Sequence, residues 1–365
     1  VWGVFDNIDT KKYIKLLYVR VAVKSVGGGV INGFEFVMKY NDIISLENLL
    51  EAWKEFLNGK KSKKDVLEFQ RNLMGNVISL NEDLVEKKYK HSNYEAFNIS
   101  DPKPRNIHKA KVRDRLLHHA IYRILYPYFD NKFIHDSYSC RVGKGTHKAI
   151  DRFKFFSGKV SKNQTKTVWV LKCDIKKFFA SINHNILLEI LEKHISDKDI
   201  LWLISEIVGS FHSTASGIGL PLGNLTSQLL VNIYMNEFDQ FMKHKLKTRH
   251  YIRYADDFVI FSQDRIWLEK ILLEIKTFLT EKLKLNLHPN KIYVKTVASS
   301  VDFLGWVHFH KHRVLRTGTK KRMLKNLSNN PSKETLQSYL GLLSHGNTEK
   351  LRCKALKLAY FNKNS

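Results

Sequence analysis

The sequence predicts an α+β fold in which helices pack against an antiparallel sheet. Residues 251–261 are rich in aromatic and β-branched side chains on both sides of an Asp-Asp pair, which predicts the two strands of a hairpin. Residues 168–174 form another short apolar run, and this run ends in an acid. Apolar residues recur at helical spacing in 44–57, 66–84 and 229–242.

The composition points to a polyanionic partner. With 61 Lys and Arg residues against 35 Asp and Glu residues, the 365-residue chain has a formal net charge of +26. Such an excess attracts nucleic acid, and an anionic membrane surface is the rival partner. The sequence contains no apolar run of about 18 residues and no clear signal peptide at its start. We therefore expect a soluble, intracellular protein that binds nucleic acid and no membrane.

The first third of the chain predicts helices separated by basic loops. No chemistry is recognisable in residues 1–40. The helical stretches 44–57 and 66–84 then flank the basic loop 59–64, which indicates the start of a nucleic-acid-binding region. A turn-rich segment, 101–107, leads into a helix that we expect to begin at Lys109 and to extend through Leu125.

The loop 136–147 is basic and contains two glycines, so that it superficially resembles a phosphate cradle. It lacks the Gly-x-x-x-x-Gly-Lys-Ser/Thr spacing of a P-loop, which argues against an ATPase. Residues 147–156 predict a helix whose N-terminus would face a phosphate backbone.

Metal chemistry based on His or Cys is not favoured. The alternating residues His308, His310 and His312 would share one face of a strand. A metal site is one interpretation, and a basic, exposed strand beside bound nucleic acid is the plainer one, which we prefer. The three cysteines form no Cys-x-x-Cys pair, so neither a disulfide framework nor a zinc knuckle is expected.

Three carboxylates are the strongest candidates for a catalytic site. Asp256 and Asp257 lie at the predicted hairpin tip, where an Asp-Asp pair taken alone is most often a solvated turn. Asp174 supplies a further acid, because it ends the apolar strand 168–174. Two-metal phosphoryl transfer requires oxygen ligands for two divalent ions about 4 Å apart. Carboxylates from neighbouring strands would meet that requirement.

Two further segments could contact a nucleotide. Lys103, Arg105 and Arg113 are candidates for binding its triphosphate, since Arg offers forked donors to phosphate oxygens. A solvated face is the alternative for any one of them. The Gly-rich loop 217–228 would let the backbone approach a flat ligand closely, and an ordinary loop with an N-capping Ser or Thr is its alternative.

The order of these motifs resembles the palm domain of reverse transcriptases. Asp-x-x-x-Phe-Phe, Gly-Asn-Leu-Thr-Ser-Gln, Tyr-Ala-Asp-Asp and Phe-Leu-Gly follow one another along the chain, and the resemblance extends from about Leu46 to the end. It implies a right-hand polymerase. The predicted divisions are an N-terminal extension of unknown role (1–43), mainly fingers (44–165), a palm with a fingers-adjacent insertion near 195–220 (166–310), and a helical thumb (311–365).

The resemblance also implies residue roles. Asp174 and Asp256 would be the principal ligands of two Mg²⁺ ions, for which Mn²⁺ is a substitute, with Asp257 as the third acid and the Ile175 carbonyl as a further oxygen. Phe179 would be the aromatic gate that clashes with a ribonucleotide 2′-hydroxyl. Leu222 and Gly223 would lie beside the nucleotide. Lys291 would protonate pyrophosphate, and residues 303–306 would form the primer grip.

The middle motif predicts a subfamily. This chain has Leu222-Gly223 and Ser227-Gln228 where most intron-encoded and retroviral enzymes have Gln-Gly and Ser-Pro. In this it resembles the reverse transcriptases of diversity-generating retroelements, which copy a template RNA with frequent errors at adenines and work with a basic accessory protein. Leu222 cannot donate hydrogen bonds as Gln can, so loose base discrimination is the expected consequence.

The resemblance implies an RNA-directed DNA polymerase that uses template RNA, a cDNA or DNA primer and dNTPs in the cytoplasm of a bacterium or archaeon, or as a phage-encoded enzyme. Because only a thumb-sized segment follows the palm motifs, we expect no maturase or endonuclease domain. Three alternatives stay open: a group II intron-like or defence-associated reverse transcriptase, an inactive RNA-binding scaffold, and a polymerase that copies RNA into RNA.

Overall fold

The computed structural model describes residues 38–100, 104–329 and 332–361. Residues 1–37, which make up most of the predicted N-terminal extension, lie outside the described residues. Lys103, one of the predicted triphosphate-binding residues, also lies outside them.

The first helices form a layer around one long central helix. Helix α2 packs its apolar face, including the buried residues Leu49, Trp53 and Phe56, on α5. Ser45 caps α2 by accepting a hydrogen bond from the Asn48 amide. The helices of this region are α1 (Tyr40–Ile44), α2 (Leu46–Phe56), α3 (Lys64–Arg71), α4 (Leu73–Val85) and α5 (Val112–Asp130).

A β-hairpin lies where the sequence predicted only turns. Strand β1 (Glu95–Ile99) pairs antiparallel with β2 (Arg105–Lys109), and α5 begins at Val112 rather than at Lys109. The prolines and charges of residues 101–107 indicate where the chain reverses direction, but they do not indicate that the segments on either side pair as strands. Strand β2 is also held by a distant loop, because the His108 amide donates to the Leu222 carbonyl at 3.0 Å.

The central sheet has four antiparallel strands in the order β4-β5-β3-β6. The predicted acid-ended strand is β3 (Trp169–Asp174), and the predicted hairpin is β4 (Tyr251–Tyr254) with β5 (Asp257–Ser262). β6 (Tyr293–Thr296) pairs with the other edge of β3. The α+β prediction is confirmed, and the acid-ended strand lies directly beside the Asp-Asp hairpin.

Long helices pack around this sheet. Helix α9 is buried on nearly all sides, which explains its continuous apolar and small polar composition. It begins at Leu225, earlier than the 229–242 run predicted. The helices are α6 (Thr146–Val160), α7 (His184–Glu192), α8 (Lys198–Gly209), α9 (Leu225–Gln240) and α10 (Arg265–Leu283). Short 3₁₀ turns cover Phe178–Ser181 and Pro289–Lys291, and a π turn covers Phe241–Lys245.

The C-terminal region has its own small core. A three-stranded sheet of β7 (Val301–Phe303), β8 (Trp306–His308) and β9 (Arg313–Leu315) precedes helices α11 (Thr317–Asn329), α12 (Lys333–Leu343) and α13 (Glu349–Phe361). Buried residues from these elements pack around Trp306 together with Ile150 of α6. Within the three described ranges, no helix is long and apolar enough to cross a bilayer.

The histidine prediction is wrong in its geometry. His308 ends β8 and is buried against Phe153, with its ring centroid 4.1 Å from the phenyl centroid. His310 and His312 belong to the turn before β9, so that the three side chains do not share a strand face. Burial lowers the pKa of His308 to about 3, and this side chain is therefore a neutral core residue rather than part of an exposed basic strand.

Candidate active site

The Asp-Asp pair lies on a two-residue turn. Tyr254 pairs with Asp257, which leaves Ala255 and Asp256 as the connection between β4 and β5. Ala255 has a φ of 55°, a left-handed conformation that is costly for a residue with a Cβ atom. The surrounding structure must hold this turn in place, and Asp256 is presented at its tip.

The third acid is directly opposite. Asp174 and Asp257 are cross-strand partners in the β3–β5 ladder. The Ile175 amide donates to the Asp256 carbonyl at 3.0 Å, which fixes the turn against the end of β3. The structure therefore brings Asp174, Asp256 and Asp257 together at one end of the sheet.

Ile175, whose carbonyl is the predicted further ligand, follows Asp174 directly at the end of β3. Ile175 forms a bridge with Leu287, and the two hydrogen bonds around that bridge join Lys176 to Asn286 and His288 to Asp174. Neither bond uses the Ile175 carbonyl oxygen. This oxygen is placed next to Asp174 by chain continuity alone.

Burial and mutual repulsion make two of the carboxylates hard to ionise. Burial, followed by the charge of Asp174, raises the pKa of Asp256 to about 6, against the opposing effects of Lys291 and Arg105. Burial also raises the pKa of Asp257 to about 7, although Lys172 lowers it. Asp257 Oδ1 is buried and has no hydrogen-bond partner among the described residues. The acids therefore have more negative charge than their protein neighbours neutralise.

Two lysines supply part of the missing positive charge. Lys291 Nζ lies 2.8 Å from Asp174 Oδ1, in a pair whose lysine side chain is 41% exposed. Lys172 Nζ lies 3.2 Å from Asp257 Oδ2 and donates to the Asp302 carbonyl at 2.8 Å. Lys172 is buried, whereas Lys291 can move away from its carboxylate into solvent.

The three carboxylates and the Ile175 carbonyl are chemically suited to bind a divalent cation. Carboxylates and a backbone carbonyl are the oxygen ligands that Mg²⁺ prefers. The orphaned Asp257 oxygen and the raised pKa values of Asp256 and Asp257 are what a site that awaits positive charge would show. In the described parts of the chain, no three His, Cys, Asp or Glu side chains already converge as a metal-binding group. The salt bridge from Lys291 holds Asp174 in its present position.

The predicted nucleotide-contacting loop is clamped to β2. The Leu222 carbonyl accepts from the His108 amide, and Asn224 Nδ2 donates to the His108 carbonyl, both at 3.0 Å. Gly223 has a φ of 108°, and a Cβ atom there would lie 2.9 Å from Ile107 Cγ2. Asn224 is the N-cap residue of α9, yet its side chain crosses to β2 instead of capping the helix. The positive φ of Gly223 and its short distance to Ile107 together explain why position 223 is a glycine.

Three other predicted site residues, Arg105, Phe179 and Arg113, lie at different distances from the acids. Arg105, on β2, is close enough to lower the pKa of Asp256. Phe179 is buried in the 3₁₀ turn that follows β3, and its carbonyl accepts from Leu220 at 2.8 Å. Arg113 lies elsewhere: it pairs with Asp83 and lies over the Tyr89 ring. The structure thus gives Arg113 a place within the helical layer and does not bring it to the acids.

Sequence reasoning missed Lys172 and the buried pair of Arg253 with Asp239. Lys172 is two residues before Asp174, so strand alternation could have placed it on the same face as that acid. Arg253 immediately precedes Tyr254, and a charged residue within an apolar strand is a signal for a buried partner. The identity of that partner, on α9, has no local signal.

Comparison with known proteins identifies the family. The model described as "Reverse transcriptase (RNA-dependent DNA polymerase)" matches residues 90–308, which include all three acids. The chain belongs to the reverse transcriptase family.

Individual relatives are distant. Protein YkfC of Escherichia coli (strain K12) is 26% identical over 272 residues, which cover 64% of this chain and 69% of YkfC. Group II intron-encoded protein LtrA of Lactococcus lactis subsp. cremoris is 25% identical over 302 residues, covering 63% of this chain and 47% of LtrA. The chain thus matches less than half the length of LtrA.

A solved structure, that of apo telomerase from Candida tropicalis truncated from its C-terminal domain, is 13% identical. It has a TM-score of 0.46 and covers 67% of this chain and 60% of the telomerase chain. This likeness is too loose to support a functional statement.

Proposed function

We propose that this chain is an RNA-directed DNA polymerase that extends a cDNA or DNA primer on a template RNA by two-metal phosphoryl transfer. The observation that carries the proposal is the group of three carboxylates at the β3–β5 end, whose charge the neighbouring side chains do not fully neutralise. A polymerase needs such a group to hold divalent ions beside phosphate oxygens.

Asp174, Asp256 and Asp257, with the Ile175 carbonyl, would hold Mg²⁺, or Mn²⁺ in its place. The ions, when bound, activate the primer hydroxyl and neutralise charge on the leaving phosphates. The protein's own part is to keep the turn rigid, so that the carboxylates do not have to reorganise during the reaction. The hydrogen bond from the Ile175 amide to the turn carbonyl supports this role.

The incoming nucleotide would lie between the acids and the clamped loop. Arg105 would bind its triphosphate, because the charge of Arg105 acts on Asp256. Lys291 would donate a proton to the leaving pyrophosphate after it exchanges its carboxylate partner for a phosphate oxygen. Phe179 would exclude the 2′-hydroxyl of a ribonucleotide, and its packing in the 3₁₀ turn supports a fixed ring position.

The subfamily proposal rests on Leu222. Its carbonyl is used by β2, and its side chain is apolar and partly buried against the core. It therefore offers no side-chain hydrogen bond to a base pair. We infer an error-prone enzyme of a diversity-generating retroelement that works in the cytoplasm with a basic accessory protein. The similarity to LtrA favours a group II intron-like enzyme as the second candidate.

Primer extension tests the polymerase proposal. The full chain should extend a primer on an RNA template with dNTPs and Mg²⁺, and Asp256→Asn should reduce the rate by at least about 10³-fold. RNA affinity should change little, because Lys and Arg contacts to phosphate determine it. RNA binding without extension in the unmodified chain would instead indicate an inactive scaffold.

Sugar selection separates DNA synthesis from RNA synthesis. Phe179→Ala should increase ribonucleotide incorporation, with Phe178→Ala as the control for loss of a neighbouring buried ring. Equal use of both sugars by the unmodified chain would contradict the gate and favour an RNA-copying polymerase.

Fidelity separates the two candidate subfamilies. Sequencing of cDNA made by Leu222→Gln should show fewer errors opposite template adenines than cDNA made by the unmodified chain. An unchanged adenine error rate would contradict the role given to Leu222 and leave the intron-like candidate in place.

A further inference from the structure

A second nucleic-acid contact is suggested by an exposed aromatic ring far from the carboxylates. Phe155 on α6 is 53% exposed. The Arg152 guanidinium lies 5.0 Å and the Lys159 ammonium 6.0 Å from its ring centroid. An exposed phenyl ring with two cations within 6.0 Å of its centroid is unusual for a solvated helix face, where Lys and Arg normally extend into water.

The positive charge extends beyond these two side chains. Arg152 also lies 4.3 Å from the Phe156 centroid, and Phe156 contacts the His250 ring at 5.1 Å. Burial and the charges of Lys159, Lys243, Arg249 and Arg152 all lower the pKa of His250, which shows that four cations converge on this residue. We call this surface the Phe155 patch; its members are Phe155, Arg152, Lys159, Arg249 and His250.

The patch is only partly neutralised. Asp136 pairs with Arg152 at 2.8 Å and approaches Lys243 at 4.0 Å. Across the described ranges, no carboxylate forms an ion pair with Lys159 or Arg249. The surface therefore offers cations without carboxylate partners beside a half-exposed aromatic ring.

The patch lies at the opposite end of the β4–β5 hairpin from the acids. Helix α6 starts beside the acidic turn, where Thr146 Oγ1 donates to Tyr254 Oη at 3.1 Å. It ends beyond the other end of β5, where Gln263 donates to the Val160 carbonyl at 2.7 Å. Phe155 is about 14 Å along α6 from Thr146, at 1.5 Å per residue. A strand bound at the patch would thus lie outside the site of nucleotide addition.

We propose that the Phe155 patch binds a single-stranded segment of RNA, with a base stacked on Phe155 and phosphates against Lys159 and Arg249. Aromatic rings among cations recognise single strands, because every unpaired base offers a face for stacking. Bases inside a duplex are already stacked and offer none. The identity of the strand as part of the copied RNA depends on the function proposed above.

Two variants of the full chain test the patch. Phe155→Ala should weaken binding of a single-stranded RNA that extends beyond the primer–template duplex by at least about fivefold. Lys159→Glu with Arg249→Glu should weaken it further and reduce the salt dependence of binding. Extension on a template whose unpaired part is only a few nucleotides, too short to reach the patch, should be unchanged in both variants.

Matched controls come from α10, which carries an exposed apolar side chain and two exposed lysines. Ile266→Ala removes a side chain that is 78% exposed, and Lys270→Glu with Lys276→Glu reverses the same amount of charge. Both should leave RNA affinity close to that of the unmodified chain. If the α10 charge variant lost as much RNA affinity as the patch charge variant, net charge alone would explain the loss. That result would overturn the proposed binding site.

The remaining outcomes also decide the proposal. The patch substitutions should weaken RNA binding by the same factor in the Asp256→Asn variant as in the unmodified chain. RNA binding at the patch is thereby tested independently of polymerase activity. Unchanged RNA affinity in both patch variants would overturn the proposal and leave an acidic protein as the candidate ligand. Equal competition by a fully paired RNA would contradict stacking.

Discussion

Two buried groups of charged residues lie side by side in this protein, and they differ in how completely their charge is matched. Arg253 and Asp239 have no exposed side-chain surface. Arg253 Nε and Nη2 donate to the two Asp239 oxygens at 2.8 and 2.6 Å, and its other bonds reach Ser137, Asn232 and the Ala255 carbonyl. All five N–H groups of the guanidinium are thereby accounted for.

The three carboxylates at the end of β3, in contrast, are not all matched by hydrogen-bond donors or cations. Asp257 keeps one buried oxygen without a partner among the described residues, and the pKa values of Asp256 and Asp257 are raised. The two groups touch, because Arg253 donates to the carbonyl of Ala255 in the turn that presents Asp256. A fully matched pair therefore holds rigid the turn that carries under-matched acids. The contrast teaches that burial alone does not mark a functional charge, whereas burial with missing partners does.

The largest expected effect comes from breaking the matched pair. Asp239→Asn leaves the Arg253 charge buried without a counter-ion, so the free energy of unfolding should fall by about 3–5 kcal/mol. Urea unfolding monitored by circular dichroism measures it. Glu269→Gln, which breaks the exposed pair with Arg265, is the control and should cost under about 0.5 kcal/mol. A loss of that small size for Asp239→Asn would contradict the comparison.

Removing an under-matched acid should have the opposite sign. Because the Asp256 charge is buried and is also repelled by Asp174, Asp256→Asn should raise the stability of the metal-free protein at pH 7.5. With its pKa raised from 3.8 to about 6, the gain is at most about 3 kcal/mol. Urea unfolding in a chelator measures this gain, and destabilisation by Asp256→Asn would show that the acids are already neutralised.

The pH dependence sharpens the same contrast. A carboxyl whose folded pKa is raised binds its proton more tightly in the folded state, so its penalty is absent below the unfolded pKa of about 4. The penalty grows as pH rises from that value towards the folded pKa, about 6 for Asp256, and is complete above it. The stability difference between Asp256→Asn and the unmodified chain should therefore increase from pH 4 to pH 7 and then level off. A difference that is constant over this range would contradict the raised pKa.

The smallest effect on stability is expected at Lys291. Its salt bridge with Asp174 is partly exposed, so Lys291→Met should change the free energy of unfolding by less than about 1 kcal/mol. Primer extension should nevertheless slow by about 10²-fold if Lys291 donates a proton. Lys295→Met on β6, an exposed lysine that lies over Tyr293, is the control. Equal extension rates for the two variants would remove Lys291 from the reaction.

Local patterns predicted the acid-bearing strands well. The apolar run ending at Asp174 and the aromatic flanks of the Asp-Asp turn each specify their own conformation, and their adjacency follows from the motif order. The β1–β2 hairpin and the burial of His308 were not predictable in this way, because both depend on contacts with distant residues, Leu222 and Phe153. The Arg253 partners were missed for the same reason, since Asp239 lies on a separate helix.

Calorimetric titration of Mg²⁺ into the metal-free protein tests the central claim, that the three acids lack positive charge which a divalent ion supplies. At pH 6.5, carboxyls with pKa values of about 6 and about 7 are partly protonated, so binding should release protons, measurable in buffers of different ionisation enthalpy. Asp256→Asn should weaken binding and reduce that release. Mg²⁺ binding that releases no protons and is unaffected by Asp256→Asn would contradict the account.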